Sequence, residues 1–371
     1  MRQCRKNIAV CRMKFLIYIK RFLLDSSTRM GYLSKLGFYD HMSDEKYLKK
    51  KFKVIMGKDL NLDNPQTFNE KLQWLKLYNR KPEYTMMVDK YKVRDYIAEK
   101  LGPEYLIPLL GVWDNPDEID FDELPNQFVL KCNHNSGTGM CICKDKSKLD
   151  VDRVKRELRK GLKEDYYMLG REWPYKNVPR KIIAEKYMED LSTSNFADYK
   201  TQYFNEKSTD FFNQDWTHLD VQREISSNSS VGKLTDYKFF CFNGKVDCVM
   251  VCLDRASGDT KFYFFDKEWN LKRINIRGKN APEGFTIPKP ECMDAMFDIA
   301  ARLSKDLTYA RIDLYQCNGN IYFGEITFFP DSGFDFNLLP ETDEYFGNLL
   351  DLPLIGNKES QICFRNKEDA H

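Results

Sequence analysis

The sequence predicts an α+β protein with at least two lobes, preceded by a helical N-terminal region. Three observations carry that expectation. A chain of 371 residues is long enough to bury more than one core. Helix-like and strand-like segments interleave without a strict βαβ rhythm, which argues against a doubly wound sheet. The stretch 310–334, ARIDLYQCNGNIYFGEITFFPDSGF, reads as two short strands joined by a tight turn at Asn318, Gly319 and Asn320.

The elements follow in order. Residues 1–24 are basic and apolar, but Lys14, Lys20 and Arg21 interrupt a run that is too short to span a bilayer. No small-residue cleavage site of the signal-peptide kind is present. This segment reads either as an amphipathic helix in peripheral contact with an anionic membrane surface or as a helix packed on the protein. Residues 44–102 read as helical. Thr67 is an N-cap with Glu70 three residues on, and Gly102 with Pro103 closes a helix that begins at Asp89. Strands are expected at 106–112 and 127–132, a charged amphipathic helix at 150–162, and strands at 181–188, 237–242 and 246–253. A helix over 290–307 leads into the hairpin. The expected layout is an extension at 1–43, a helical region at 44–125, lobes at 126–350 and a tail at 351–371. An insertion at 192–234 carries the linker-like SSNSS of 226–230.

A net charge of +2 gives no support to a nucleic-acid partner. The eleven cysteines are odd in number and dispersed through apolar runs, so they read as reduced thiols of a cytoplasmic protein. Cys141 and Cys143 form a CxC with no second cysteine–histidine cluster nearby, and read as strand residues rather than zinc ligands.

Chemistry concentrates in a few places. A hairpin lays its arms side by side, so Asp313 and Glu325 can meet. Two converging carboxylates make an oxygen-rich site suited to Mg²⁺. Arg311 lies two residues before Asp313 and projects from the same face. The plain alternative is an amphipathic hairpin with two solvated acids. In FVLKCNHNSGTGM, a strand delivers Lys131 and a loop of Ser136, Gly137, Thr138 and Gly139 follows. Small residues let backbone N–H groups approach phosphate oxygens, although this is neither a Walker motif nor a dinucleotide fingerprint, and a surface turn would look similar. The strand IIAEKYM ends in Glu185, Lys186, Tyr187 and Met188, a hinge whose backbone could pair with an adenine edge, or else an edge strand with solvated charges. Alternation puts Asp236 and Lys238 on one strand face, as ribose and phosphate contacts or as a wet ion pair. Lys90 is a candidate second phosphate lysine.

Together, in this order, these segments resemble the ATP-grasp superfamily, with Arg311-Ile312-Asp313 and Glu325…Pro330…Gly333 similar to D-alanine–D-alanine ligases and glutathione-synthetase-like ligases. The phrases TFNEKLQWLKLY, DKYKVRDYIAEKLG, FVLKCNHNSGTG, REWPYKNV, IIAEKYMED and DYKFFCFNGK are similar to the TupA-like subfamily, named for teichuronopeptide biosynthesis. The resemblance implies an ATP-grasp fold, two α+β lobes enclosing ATP over 126–350. It implies that Lys90 and Lys131 contact the phosphates, that Ser136, Gly137, Thr138 and Gly139 cover them, and that Glu185, Lys186, Tyr187 and Met188 line the adenine pocket. Asp236 and Lys238 would sit near the ribose and the transferring phosphate. Asp313 and Glu325 would bind Mg²⁺, and Arg311 would stabilise an oxyanion. One departure is Thr327, which stands where the usual third metal ligand is asparagine. A hydroxyl can ligate weakly, or Asp331 could replace it.

The implied chemistry is ATP-dependent amide formation through an acyl phosphate in cell-surface polysaccharide biosynthesis, joining an amino acid to a uronic-acid-type carboxylate. The substrate would be a small molecule or an oligosaccharide. Thr327 keeps a second class open, a glycosyltransferase or sugar kinase on the same scaffold. The two DxD triplets, Asp120-Phe121-Asp122 and Asp150-Val151-Asp152, lie in an acidic loop and at a helix start, and do not follow an apolar strand as a glycosyltransferase motif would.

Overall fold

The computed structural model describes residues 22–190, 234–253 and 260–354. The basic segment up to Arg21, nearly all of the expected insertion and the end of the tail lie outside the described residues.

The helical region comes first: α1 (Ser26–Lys35), α2 (Asp44–Met56), α3 (Phe68–Tyr78), α4 (Pro82–Val88) and α5 (Val93–Lys100). Gly57, at φ 70°, closes α2 in the left-handed conformation that suits glycine. The expected start of α3 is present as a full capping box. The Thr67 side chain accepts from the Glu70 N–H, and the Glu70 carboxylate accepts from the N–H groups of Thr67 and Gln66 at 3.1 and 2.9 Å. The helix expected from Asp89 is shorter, because Asp89 turns back on Tyr91 and Lys92 and regular helix begins only at Val93.

Two antiparallel sheets follow. The first has the order β1-β4-β2-β3, formed by β1 (Leu109–Trp113), β2 (Phe128–Cys132), β3 (Met140–Cys143) and β4 (Ile182–Lys186). Between β3 and β4 lie α6 (Val151–Lys163) and α7 (Tyr166–Gly170). Asp150 caps α6 through the Arg153 N–H. Val154 and Leu158 of α6 pack with Phe128, Leu130, Ile182 and Ala184, so one face of this sheet forms a small core of its own. By alternation, Val129, Lys131, Ile183 and Glu185 point to the other face.

The second sheet has six strands in the order β10-β9-β5-β6-β7-β8. They are β5 (Thr235–Phe242), β6 (Lys245–Leu253), β7 (Lys261–Phe265), β8 (Leu271–Lys272), β9 (Tyr309–Cys317) and β10 (Asn320–Thr327). After β8 come α8 (Ile276–Lys279) and α9 (Met293–Ser304); after β10 comes α10 (Pro340–Leu349). The β9–β10 turn has φ 50° at Asn318 and 81° at Gly319, the pair of left-handed residues a two-residue hairpin needs. α9 covers one face, where Phe239 meets Phe297 edge-on at 5.1 Å. The opposite face is divided. At one end Phe240, Phe242 and Tyr309 pack with Phe68 of α3 and Phe346 of α10. At the other end the same alternation presents Asp236, Lys238, Arg311 and Asp313. The aromatic half anchors the helical region, and the charged half is left for chemistry. Among the described residues, no helix is long and apolar enough to cross a membrane.

Thr67→Ala removes one half of the capping box at the start of the helix that covers the aromatic half. It should lower stability by about 1 kcal/mol. Urea unfolding at unchanged slope is the measurement, and a loss no greater than that of an ordinary surface change would show that the cap is redundant.

Candidate active site

The site begins with a register shift. Phe323 of β10 opposes Leu314 of β9, yet Glu325 opposes Asp313, with Gly324 bulged between them. In a regular strand, residues 323 and 325 would share a face. The bulge leaves Phe323 in the core and turns Glu325 and Thr327 onto the face of Asp313 and Arg311. Only glycine fits there: a Cβ would lie 2.9 Å from the Asp313 carbonyl oxygen and 2.8 Å from the Tyr315 ring. On the other side of β9, Lys238 of β5 opposes Asp313. Three adjacent strands thus place Lys238, Asp313 and Glu325 in one row.

The row is knitted by charge. Arg311 donates Nε to Asp313 Oδ1 at 2.7 Å and Nη2 to Asp313 Oδ2 at 2.8 Å, a bidentate pair. The same Nη2 lies 3.2 Å from both Glu325 Oε1 and Thr327 Oγ1. Thr327 donates in turn to Glu325 Oε1 at 3.3 Å. Lys238 bridges Asp313 Oδ2 and, at 2.8 Å, Asp236 Oδ2. Burial works against the charges of Lys238 and Arg311, but the neighbouring carboxylates together, Asp313 first and then Asp236 and Glu325 at Lys238 and Glu325 at Arg311, outweigh it and raise both above their ordinary values. Burial pushes the Asp313 carboxyl up, while Arg311 and Lys238 pull against it.

The first sheet supplies the facing wall. Lys131 of β2 pairs with Glu185 of β4 at 2.6 Å, and Arg94 of α5 reaches the other oxygen of Glu185 at 3.4 Å. Lys90 donates its ammonium to the Asn135 carbonyl at 2.6 Å and its backbone N–H to that of Asn133 at 3.1 Å. Asn133 is fully buried and ties three segments together. Its amide donates to Asp89 and to the Pro179 carbonyl at 2.7 and 2.8 Å, and its oxygen accepts from the Lys181 N–H at 2.7 Å. The glycine-rich loop is seated on the end of α6. Thr138 and Asn135 donate to the Glu164 carboxylate at 3.2 and 3.1 Å. A Cβ on Gly139, at φ 69°, would lie 2.9 Å from the Cα of Gly161. Burial raises the Cys132 thiol beneath this contact to about 12, so it is a packing group and no nucleophile.

The two walls meet electrostatically at Glu325. Burial opposes its charge, but Lys90, Lys238, Arg311 and Lys131 together hold its carboxyl at about 2. Two of those cations come from the first lobe and its preceding helical region, and two from the second sheet. Glu325 is also the open member of the cluster, with its side chain 36 % exposed against 1 % for Asp313. Tyr166 and Tyr175, edge to face at 4.7 Å, have hydroxyls pushed well up by burial and then by nearby groups that include Glu172 and Glu325.

The structure therefore gathers Lys90, Lys131, Glu185, Asp236, Lys238, Arg311, Asp313, Glu325 and Thr327. It sets Lys186 apart. That side chain is exposed on the opposite face of β4, at an open cavity of about 420 Å³ lined also by Tyr187 and Leu110, and its backbone N–H is donated to Pro108. Met188 is half-buried beyond the strand, and Ser136 is exposed at the loop tip. Sequence reasoning missed Arg94, Asn133 and the bulge. A glycine inside an alternating strand was the signal for the bulge; Arg94 and Asn133 carried none.

Two antiparallel sheets that turn lysines and carboxylates toward one cleft are the architecture of the ATP-grasp enzymes. A family model described as TupA-like ATPgrasp matches residues 70–230 and 221–351, and the chain belongs to that family. No curated protein sequence matches the chain. Among solved structures, the D-alanine–D-alanine ligase of Bacillus anthracis aligns at 14 % identity and TM-score 0.40, over 87 % of this chain and 90 % of that one. The corresponding ligase of Helicobacter pylori aligns at 12 % and 0.38, over 76 % and 69 %. The ATP-grasp ligase PsnB, complexed with a minimal precursor, aligns at 10 % and 0.36, over 72 % and 61 %.

A carboxyl held near 2 against an ordinary 4.5 contributes stability that is complete above the higher value and is lost as pH falls through the lower one. Glu325→Gln should therefore melt below the wild type at pH 6, with the gap closing as pH approaches 2. Thermal melts across that range make the comparison, and a gap that persists unchanged at pH 2 would contradict the electrostatic account.

Proposed function

We propose that the protein is an ATP- and Mg²⁺-dependent carboxylate–amine ligase. One observation carries the reading: cations from both lobes converge on a half-open carboxylate, with an arginine beside it. A triphosphate brings negative charge into such a cleft, and Lys90, Lys131 and Lys238 would receive it. The loop of Ser136, Gly137, Thr138 and Gly139 would cover the phosphates, and the backbone at Tyr187 and Met188 would take the adenine edge.

The donor set fits one Mg²⁺ better than two. Among the described residues, Glu325 Oε2 makes no hydrogen bond, and Thr327 sits beside it. Asp313 has both oxygens committed to Arg311 and Lys238. When bound, the ion would neutralise phosphate charge and orient the transferred group. Asp313 would join it only as Lys238 turns to the phosphates, and its main task is to hold Arg311 and Lys238 in place.

The chain's own residues then act in two steps. Lysine charge offsets the repulsion between substrate carboxylate and triphosphate, so that a carboxylate oxygen can attack the γ-phosphorus and ADP can leave. An amine next attacks the acyl carbon, passes through a tetrahedral oxyanion and expels phosphate, losing its proton. Arg311 spends Nε and Nη2 inside the cluster, whereas Nη1 makes no hydrogen bond among the described residues and is the donor for that oxyanion.

The resemblance to teichuronopeptide biosynthesis supports a uronic-acid-type carboxylate as one substrate and an amino acid as the other, in a cell-surface polysaccharide pathway. Peripheral contact with the inner face of the membrane is supported by the acid-free, basic residues 1–21 and by the exposed Leu23, Leu24, Leu36 and Phe38 that follow.

Hydroxylamine trapping tests the mechanism. Wild type with ATP, Mg²⁺ and uronic-acid carboxylates should yield a hydroxamate. Arg311→Met should still yield it but form amide roughly 10²–10³-fold more slowly, the usual loss of one oxyanion donor. No hydroxamate from wild type with any carboxylate would exclude an acyl phosphate. Larger thermal stabilisation by UDP-sugars than by MgATP would favour glycosyl transfer instead.

A further inference from the structure

The helix α3 carries a polar stripe that points inward. Asn69, Gln73 and Lys76 are spaced four and three residues apart, so they share one face, and each is fully buried. Buried amides and a buried ammonium are tolerated only when they are bonded. Each of the three bonds one short stretch of chain, and Asn69 also donates its backbone N–H and its Nδ2 to the Asp343 carboxylate of α10 at 2.8 and 2.9 Å. Lys76 donates to the Ser332 carbonyl at 2.7 Å and to its hydroxyl at 3.1 Å, as well as to the Gly170 carbonyl at 2.7 Å and to Gln73 at 3.0 Å. Gln73 donates to the carbonyls of Gly333 and Ser332 at 2.5 and 3.3 Å. Asn69 accepts the Asp335 N–H at 2.9 Å and returns a bond to the Asp335 carbonyl at 3.2 Å.

That stretch is strained. Asp331, Ser332 and Gly333 have φ of 46°, 55° and 64°, three successive left-handed residues of which two carry side chains. L-residues other than glycine resist this conformation, and it persists only where the surroundings impose it. The turn begins four residues after Thr327. It packs against α7 and the residues just after it, where a Cβ on Gly170 would lie 2.1 Å from Ser332 Oγ and 2.8 Å from Glu172 Oε1. The same segment carries Tyr166 and Tyr175, whose hydroxyls feel Glu325. The turn continues the chain directly beyond the strand that carries Glu325 and Thr327, and with α7 it borders that end of the charged row.

We propose that Asn69, Gln73 and Lys76 are positioning residues of the active site, which hold the left-handed turn at Asp331, Ser332 and Gly333 in place as the wall against which the acceptor substrate is aligned. This rests on the ligase reading above. A merely structural stripe would need no strained partner, since glycines at 331 and 332 would satisfy the same carbonyl bonds without strain.

The test uses the full chain and the variants Gln73→Met, Lys76→Met and Gln73→Met with Ser332→Gly. Gln73→Met should speed hydrogen exchange at the amides of 331–335 at least tenfold while leaving the strands around Lys131 and Glu185 unchanged. MgATP affinity should stay within about twofold. Amide formation with the carboxylate and amine that turn over in wild type should fall on the order of 100-fold, the size expected for a misplaced positioning element. Adding Ser332→Gly should recover about tenfold, because glycine takes the left-handed conformation unaided. Lys76→Met gives the same readouts should Gln73→Met fail to fold. Unchanged exchange at 331–335 in both variants would overturn the proposal. So would a lowered melting temperature with normal turnover, or a glycine rescue of melting temperature alone. A wild type that neither binds MgATP nor forms ADP would sink the ligase reading instead, and the exchange arm would still decide whether the three side chains hold the turn.

Discussion

One extra residue in β10 decides the chemistry of this protein. The bulge at Gly324 changes the parity of the strand, so a chain that has been burying Phe323 delivers Glu325 to the opposite face. Without that change Glu325 would point into the aromatic core, and the cations of the first lobe would face no carboxylate. With it, the cleft largely neutralises itself. Lys90, Arg94, Lys131, Lys238 and Arg311 stand against Glu185, Asp236, Asp313 and Glu325, five cations to four carboxylates. The lysines are thus held in place before any phosphate arrives, at the expense of having to exchange partners when it does: Lys131 from Glu185, and Lys238 from Asp313. A site arranged this way avoids the repulsion that bare lysines would feel in a half-buried cleft.

The division of the second sheet explains how such a charged row survives beside a core. Along β5, Phe242 and Phe240 are followed on the same face by Lys238 and Asp236. The aromatic pair is covered by Phe68 and Phe346, so α3 and α10 finish the hydrophobic layer where the charges begin. The covering helix α3 does two jobs with two faces. Phe68, Leu72 and Leu75 join the core, while its polar stripe grips the turn beyond β10.

Much of this was legible in the sequence. The hairpin, the loop after Lys131 and the Thr67 cap follow from local rules of alternation, turn chemistry and capping, and each lies where those rules put it, whereas the expected meeting of Asp313 and Glu325 depends on the bulge. What the rules did not reach has a common character. Alternation counts residues and assumes regular strands, so it cannot see a bulge. Applied beyond Glu185, it would have separated Lys186 from the site, because neighbouring strand residues point to opposite faces. Arg94 and Glu185 are ninety-one positions apart, and Asn133 binds Asp89, Pro179 and Lys181. Such partners are set by topology, which local patterns do not encode. The inward amides of α3 lay hidden among apolar residues at helical spacing, where polar side chains pass for a solvated face.

The contact between Gly139 and Gly161 has a mechanical consequence. Their backbones approach so closely that neither position has room for a methyl group, and Thr138 and Asn135 are bonded to Glu164 just beyond. The loop that would lie over the phosphates is therefore clamped to the helix behind it. It cannot hinge like a flap on its own two ends. Closing or opening the cleft must carry loop, helix and four-stranded sheet together as one rigid paddle, with the bending displaced to the segments that join this lobe to the rest of the chain. A spectroscopic probe on the outer surface of α6, remote from every reacting group, would then report the motion of the loop itself.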